Sequence, residues 1–257
     1  MLSSQMMILD SPFFVFALSI VVLTISVRLG IFLQRLRRLG TESIHSDLGI
    51  VTTASLTLLA LLTSFSFSMA TPRYDLRHNL EVQEAQQITA EYLRADLLPS
   101  QSATQIKALL ACYLDQRIRF YDEGDAQELS KTKLATDQLE GQIWTAVRVP
   151  AMAAPSSITA IPVAGIDGVF GARNNAEAAW LNRIPPSAGG LLMIIAACAC
   201  MLTGLGARAP KSRLHYIPPL LVSIAFFLIA DIENPRVGII RVYPTDLIAA
   251  ADTIHAK

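Results

Sequence analysis

The sequence predicts an all-α membrane protein with four transmembrane helices and a large helical extramembrane domain between spans two and three. Hydrophobic residues make up 52% of its 257 residues and charged residues only 16%, whereas charged residues are about a quarter of an ordinary soluble domain. Four stretches lack charge for roughly the 20 positions that a helix needs to cross a hydrocarbon core. The charged residues are concentrated elsewhere, because the segment 73–183 holds 25 of the 42 acidic and basic side chains.

The first two spans are predicted within residues 11–72. The first is uncharged from 11 to 27 and stays apolar to Leu33 except for Arg28, and the second runs from 48 to 72 without charge. A cleaved signal peptide is the alternative for the first span. Such a peptide begins with basic residues, but residues 1–11 contain no Lys or Arg, which favours an uncleaved anchor.

The third and fourth spans are predicted within residues 184–233. The third covers 184–207 and the fourth covers 214–230. The fourth contains Pro218 and Pro219, and a proline inside a helix removes a backbone donor and leaves a carbonyl that must find another partner. The residues after this span, 234–257, are expected to form a C-terminal tail.

The extramembrane domain is predicted to be helical because apolar residues recur every three or four positions. Its carboxylates, Glu81, Glu84 and Glu91 among them, are interpreted most simply as a solvated helix face. Pro162 and the glycines after it weaken any long helix in 151–186, with a shorter one expected at 174–181. The other helices are expected at 80–98, 103–121 and 126–149, the first stopped by Pro99 and the last closed by Pro150.

Charge and motif content exclude several functions. Lys plus Arg and Asp plus Glu both total 21, so nothing electrostatic favours nucleic acid. The four histidines are scattered, no metal-binding motif is present, and we expect neither a metal nor another cofactor. No catalytic constellation is visible, so the sequence predicts a protein that is not an enzyme.

Loop charges bear on orientation. The loop after the first span carries Arg35, Arg37 and Arg38, and the loop between spans three and four carries three basic residues and no acid. The positive-inside rule makes that side cytoplasmic and places the large domain outside. Long loops do not obey this rule strictly, and basic residues also flank the spans on the domain's side, so the opposite orientation stays open.

The second span has an unusual hydroxyl-rich stripe. On a helix, the predicted pore-lining residues Thr52, Ser55, Thr63 and Ser66 fall on one face. Hydroxyl groups that line a pore can solvate an ion or water. The alternative, which we prefer for this stripe taken alone, is that small hydroxyl residues let helices pack closely.

Two aromatic residues and a polar exit follow this stripe. Phe65 and Phe67 are candidates for a constriction, because a bulky ring can close a pore by dewetting. Arg73, Tyr74 and Arg77 come directly after the span and are candidates for a pore mouth that attracts anions. An interfacial anchor or an internal ion pair is the alternative for these three.

Five short segments together form a familiar pattern: 61–70 (LLTSFSFSMA), 73–75 (RYD), 84–85 (EA), 92–99 (YLRADLLP) and 229–238 (IADIENPRVG). With these segments the sequence resembles the bacterial bestrophin-like membrane protein family, a largely uncharacterised group. The resemblance extends over most of the chain from about Leu48.

The resemblance reaches more distantly to true bestrophins, which are pentameric anion channels. It implies a homo-oligomer, a pentamer by analogy, with Phe65 and Phe67 as the constriction and the Arg73-Tyr74 pair after the pore helix. The chain departs from bestrophins at Asp75, where they tend to have a second aromatic residue, and it lacks a dense acidic calcium clasp. The bestrophin arrangement also places the domain in the cytoplasm, opposite to the orientation that the loop charges favour.

The leading hypothesis is therefore an oligomeric channel or pore for small ions, with anions as the first candidate, in the inner (plasma) membrane of a bacterium. Span two from each subunit would surround the pore, and the lipid bilayer, small ions and further copies of the chain would be its partners. The alternative is a non-conducting membrane scaffold or sensor whose helical domain binds a protein partner.

Overall fold

The regular elements of the chain are helical. The computed structural model describes residues 11–37, 42–207, 212–236 and 238–256, and none of these lies in a strand. The all-α prediction is confirmed. The helices are α1 (Pro12–Arg37), α2 (Glu42–Arg94), α3 (Ser100–Asp122), α4 (Ala126–Ala153), α5 (Ala160–Leu181), α6 (Pro186–Leu205), α7 (Ile217–Glu233) and α8 (Thr245–His255), with 3-10 turns at Ala95–Leu97 and Arg213–Tyr216.

Four of the described helices, α1, α2, α6 and α7, are long and apolar enough to cross a membrane. The proline pair does not interrupt α7, because Pro218 and Pro219 lie in its first turn. The backbone N–H groups of a first turn have no partner within the helix, so a proline there removes nothing that the helix uses. The fourth apolar stretch is consequently a 3-10 turn followed directly by one α-helix, which the prolines do not break.

Helix α2 is longer than the sequence pattern indicated. The sequence predicted a span that ends at 72 and a separate helix over 80–98, but α2 continues through Pro72 and reaches Arg94. Its 53 residues make it about 80 Å long. Proline inside a helix removes one backbone hydrogen bond, and helices that cross membranes tolerate it because neighbouring groups satisfy the freed carbonyl.

Helices α4 and α5 also differ from expectation. Helix α4 runs past Pro150 and ends at Ala153, and α5 is continuous over Ala160–Leu181 despite its three glycines. Gly165 explains part of this composition, because a side chain there would overlap the Glu91 carboxylate on α2. The glycine allows two helices to approach closely, at some cost in helix propensity.

The chain divides into two compact units. The first, which we call the apolar unit, contains the described residues up to Pro72 and those from Arg183 to Ile240. Its α1 packs against α6 and α7. Gly30 of α1 faces Gly204 of α6, and a side chain on either would collide with the backbone of the opposite helix. The core around this contact consists of Leu23, Val27, Ile31, Leu59, Ala196, Ala199, Cys200, Ala207 and Phe226.

The second unit, which we call the charged unit, contains residues 73–182 and the described residues from Arg241 onward. Helix α3 packs against α4, α4 against α5, and the C-terminal helix α8 against α3. Three aromatic rings, Phe120, Tyr121 and Trp180, contact one another edge-on, with centroids 5.4 to 5.6 Å apart. The C-terminal tail therefore includes a helix that contributes to the core of this unit.

Candidate functional site: the long helix α2

The predicted pore-lining residues lie on the packed side of α2. Thr52, Ser55, Thr63 and Ser66 are half-buried, and they share a helix face with Leu59, which is buried in the core of the apolar unit. Their hydroxyl groups largely bond to the helix itself. Those of Ser55, Thr63 and Ser66 donate to the carbonyl oxygens four residues earlier, at 2.8, 2.7 and 3.0 Å. This placement favours the close-packing interpretation for these four side chains.

A second hydroxyl stripe lies on the opposite, exposed side of α2. Thr53, Thr57, Ser64, Ser68 and Thr71 are all exposed, and their spacing of three, four or seven keeps them on one face. Four of them donate to the preceding turn, with oxygen–oxygen distances of 2.8 to 3.2 Å. Each of these four hydroxyl donors is therefore satisfied, and an oxygen lone pair is left facing outward.

Sequence reasoning did not select this second stripe, although the residues themselves could have indicated it. Hydroxyl residues occur around most of the circumference of α2 over positions 52–71, so periodicity alone defines two stripes and gives no reason to prefer either. The choice depends on which face Leu59 and Ala70 bury, and that is a property of the packed apolar unit.

The two constriction candidates are both exposed but point in different directions. The side chains of Phe65 and Phe67 are 58% and 44% exposed. Residues two positions apart on a helix point in directions about 200° apart around its axis. Phe65 and Phe67 therefore cannot both point towards one pore axis. Phe67 lies three residues from Ser64 and four from Thr71, at the border of the exposed hydroxyl stripe. Phe65 lies instead among exposed apolar residues, namely Leu58, Leu61 and Met69.

The predicted pore-mouth residues separate into two environments. Arg73 and Tyr74 are half-buried, and the Tyr74 hydroxyl lies 3.5 Å from the carbonyl oxygen of Arg241. Arg77 is fully buried, and its guanidinium donates to the carbonyl oxygens of Ala179 and Asn182 at 3.1 and 3.0 Å. Arg77 thus satisfies carbonyl groups at the C-terminal end of α5, where a helix lacks partners of its own.

Three acidic residues of α2, Glu81, Glu84 and Glu91, are buried, and the interpretation of these three as a solvated face is wrong. Glu81, Glu84 and Glu91 are each 0% exposed. They lie three and seven residues apart, on one face of the helix. These acids share a buried helix face with apolar residues such as Ile88. Because the acids interrupt the apolar pattern on that face, periodicity did not distinguish them from surface carboxylates.

Glu84 belongs to an ion network that joins α2 to α3, α4 and α5. It accepts hydrogen bonds from Arg117 and from the Tyr121 hydroxyl. Arg117 also contacts Glu177 at 2.9 Å, and Glu177 contacts Arg173 at 2.9 Å. Burial by itself lowers the pKa of Arg117, but Glu84, Tyr113 and Glu177 together outweigh burial and raise that pKa. The network therefore keeps its buried charges compensated.

Among the described residues, neither Glu81 nor Glu91 has an ion pair with a fully buried cation as Glu84 has. Burial raises the pKa of Glu91 to about 7, and its only opposing influence is Arg94, whose nitrogen lies 3.6 Å away and is partly exposed. Neither Glu91 oxygen has a hydrogen-bond partner among the described residues. Burial also raises the pKa of Glu81 to about 7, even though two backbone amides oppose the shift. Both carboxyl groups take up a proton near neutral pH.

The described part of the chain brings together no group of three or more His, Cys, Asp or Glu side chains that could hold a metal ion. The candidate site consists of hydroxyl oxygens, aromatic rings and, in the charged unit, buried acids.

Fold and site together define a class: an all-helical membrane protein with a long, largely exposed apolar helix that continues into a charged helical unit. A family model, the Bestrophin-like domain, matches residues 16–247. The chain belongs to the Bestrophin-like family. Among curated proteins, none matches it.

Solved structures share the fold at low sequence identity. A crystal structure of a bacterial bestrophin homologue from Klebsiella pneumoniae aligns with a TM-score of 0.59 and 17% identity, over 94% of this chain and 95% of that one. Two variants of the homologue with single substitutions align with TM-scores of 0.60 and 0.59 and identities of 16% and 18%, over 95% of this chain and 96% of theirs. The resemblance expected from the sequence is confirmed.

Proposed function

We propose that this protein is a homo-oligomeric membrane channel or pore for small ions, with anions as the first candidate, and that α2 from each subunit surrounds the pore. The observation that carries the proposal is the exposure of α2. Only 6% of the most apolar 18-residue stretch of α2 is buried, whereas 22% to 28% of the corresponding stretch is buried in each of the other three apolar helices. Membership of the Bestrophin-like family supports the same function.

The chemistry of the exposed surface indicates what covers it. Leu58, Leu61, Phe65 and Met69 form an apolar half, which suits lipid or a neighbouring subunit. The hydroxyl half, with Thr57 and Ser64 near its centre, leaves outward-facing oxygen lone pairs. Such a surface is better matched to water and hydrated ions than to hydrocarbon. In a closed ring of identical subunits, every subunit makes the same contacts with its neighbours. We therefore expect the hydroxyl half of every α2 to face the common axis of the ring.

The setting of the pore is part of the proposal. We place the four apolar helices in the inner (plasma) membrane of a bacterium, with the charged helical unit between spans two and three outside the bilayer. Phe67 borders the hydroxyl half and is the first candidate for the constriction, and Phe65 is the second. Arg73 and Tyr74 follow at the end of the membrane-crossing part of α2.

Purified protein in liposomes tests conduction. Liposomes loaded with chloride are expected to release it when they contain the protein, and Phe67→Ala is expected to change the flux because it widens the narrowest ring. Phe32→Ala is the matched control, since Phe32 is a similarly exposed phenylalanine on α1, 60% exposed, and should leave the flux unchanged. Equal effects of the two variants, or no flux from the wild type, would contradict the proposal.

Thiol accessibility distinguishes the two faces of α2. The three native cysteines are replaced by alanine, and cysteine is introduced as Ser64→Cys on the exposed stripe or as Ser66→Cys on the packed one. We expect a membrane-impermeant thiol reagent to modify the first variant faster, and ions to compete with the reaction. Faster reaction of Ser66→Cys would instead assign the pore to the stripe that the sequence predicted.

A non-conducting scaffold or sensor is the second candidate function. It is favoured by a groove of about 520 Å³ between α4 and α5, lined by Trp144, Met152 and Val163 with Arg148 and Asp167. Trp144 and Met152 are exposed, as in surfaces that bind a partner. A monomer in native mass spectrometry of nanodiscs, together with absence of flux, would favour this function over the channel.

A further inference from the structure

We propose that Glu81 is a proton-controlled latch that holds the C-terminal helix α8 against α2 and releases it when the carboxyl group ionises. This inference concerns regulation within the charged unit and holds whether or not the protein conducts ions. The inference rests on two features that the channel proposal does not use. The first is Glu81, a buried acid on α2, and the second is helix α8, whose first turn is capped by Glu81.

The first turn of α8 is fastened to α2 by one oxygen atom. Glu81 Oε1 accepts hydrogen bonds from the backbone amides of Asp246 and Leu247, at 3.0 and 2.9 Å. These amides belong to the group of N–H donors that no helix can satisfy internally. The packing of α8 against α3 is mainly apolar, because Leu247, Ala250 and Ile254 are buried in the core of the charged unit. Glu81 is therefore the buried polar component of an attachment that is mainly hydrophobic.

The other Glu81 oxygen, Oε2, makes the contact sensitive to protonation. It is buried and has no hydrogen-bond partner among the described residues. The protonated carboxyl needs little compensation at this position, whereas the carboxylate carries a charge in a site from which water is excluded. The side chain of Asp246 lies next to it and adds repulsion when both groups are ionised.

Other charged and titratable groups near Glu81, among the described residues, lie on α2 and α3. On α2, Arg77 lies one turn before it and Glu84 one turn after it. From α3, the Tyr121 hydroxyl is close enough for the Glu81 charge to raise the pKa of Tyr121. Arg77 directs two nitrogens at carbonyl groups of α5, and Glu84 is paired with Arg117. The partners that hold Glu81 are thus the amides of α8.

The direction of the effect follows from linkage. With α8 docked, the pKa of Glu81 is raised from 4.5 to about 7; with α8 released and Glu81 hydrated, the pKa returns towards its ordinary value. Ionisation therefore favours release, so α8 is held at low pH and loosened as pH rises through 7. For these two pKa values the docking equilibrium constant falls about tenfold between pH 6 and pH 8.

Hydrogen–deuterium exchange of the full-length protein in nanodiscs tests the latch. Labelling times are scaled for the pH dependence of the intrinsic exchange rate, so that only structural protection is compared. We expect the amides of α8, from Leu247 to Ile254, to lose about tenfold protection between pH 6 and pH 8. Glu81→Gln keeps an acceptor oxygen but cannot ionise, so the part of this loss that Glu81 causes should disappear in the variant.

Glu91→Gln is the matched control, because Glu91 is also buried on α2 with a raised pKa but makes no hydrogen bond to α8. This variant should retain the pH-dependent loss. Asp246→Asn should weaken the dependence by removing the adjacent charge. The exposed pair His255 and Asp115, 3.9 Å apart at the other end of α8, is present in every variant and contributes equally. Constant protection in the wild type, or an unchanged pH response in Glu81→Gln, would overturn the proposal.

Discussion

The guanidinium of Arg117 and the carboxylate of Glu84 form an ion pair in which both side chains are 0% exposed, and this pair joins α3 to the long helix α2. A buried ion pair gains little over apolar packing, but removal of one partner leaves an uncompensated charge. The pair therefore fixes which face of α2 turns towards the rest of the charged unit, and it makes that arrangement intolerant of single substitutions.

Arg117→Met is expected to destabilise the charged unit by about 3–5 kcal/mol, because the buried Glu84 carboxylate loses its cation. Intrinsic fluorescence during thermal unfolding can measure the change, since both tryptophans, Trp144 and Trp180, belong to the charged unit. Lys131→Met is the control, because Lys131 pairs with Glu128 on the exposed surface, where ion pairs contribute little. Similar melting temperatures for the two variants would refute this account.

Gly165→Ala is expected to lower the melting temperature of the charged unit, because the added methyl group collides with the Glu91 carboxylate. Overpacking of this kind costs about 1–3 kcal/mol. Gly171 lies in the same helix with nothing within 4 Å of the position that a Cβ would occupy. Gly171→Ala should therefore leave stability unchanged or raise it through better helix propensity. Fluorescence-detected melting of both variants separates the effect of the steric collision at Gly165 from the effect of helix propensity. A Gly165→Ala variant that is more stable than the wild type would contradict the collision.

Gly204→Ala is expected to loosen the apolar unit, because α1 and α6 touch backbone to backbone at Gly30 and Gly204. Small residues permit such contacts between helices in membranes. The buried Cys200 of α6 reports this loosening when Cys112 and Cys198 are replaced by alanine. Its reaction with a thiol dye should accelerate about tenfold, which corresponds to a decrease of about 1.4 kcal/mol in the free energy of opening. Gly190→Ala, on the same helix but in open space, should react at the original rate. Equal rates in the two variants would be inconsistent with a tight glycine contact.

The stability of the charged unit is expected to decrease as pH rises from about 4.5 to 7. Glu91 has a folded-state pKa raised to about 7, so the folded protein holds a proton that the unfolded chain has already lost in this window. The contribution of Glu91 to stability is therefore fully present below pH 4.5 and declines as pH increases through 7, by about 3 kcal/mol at most. Glu91→Gln should reduce the slope of melting temperature against pH, and Glu81 should account for much of what remains. A slope that is unchanged in Glu91→Gln would contradict the prediction.

Much of the fold could be predicted from local sequence patterns. Stretches without charge identified α1, α6 and α7 to within a few residues, because the length of an apolar helix is set by the thickness of the hydrocarbon that it crosses. Proline and glycine misled the prediction within α2, α4 and α5. Pro72, Pro150 and Gly165 all lie inside helices, since packing against neighbours compensates for their weak intrinsic propensity.

The candidate site was predictable only in part. The sequence by itself determined that this protein is an all-helical membrane protein and that α2 carries hydroxyl groups, two phenylalanines and a polar exit. The tertiary structure alone decided which α2 face is exposed, that Arg77 lies buried at the end of α5, and that Glu81, Glu84 and Glu91 are enclosed rather than solvated. The physical reason is that helical periodicity fixes which residues share a face, whereas the choice of the face that is buried depends on partners far away in the chain, such as Arg117 for Glu84 and Leu247 for Glu81.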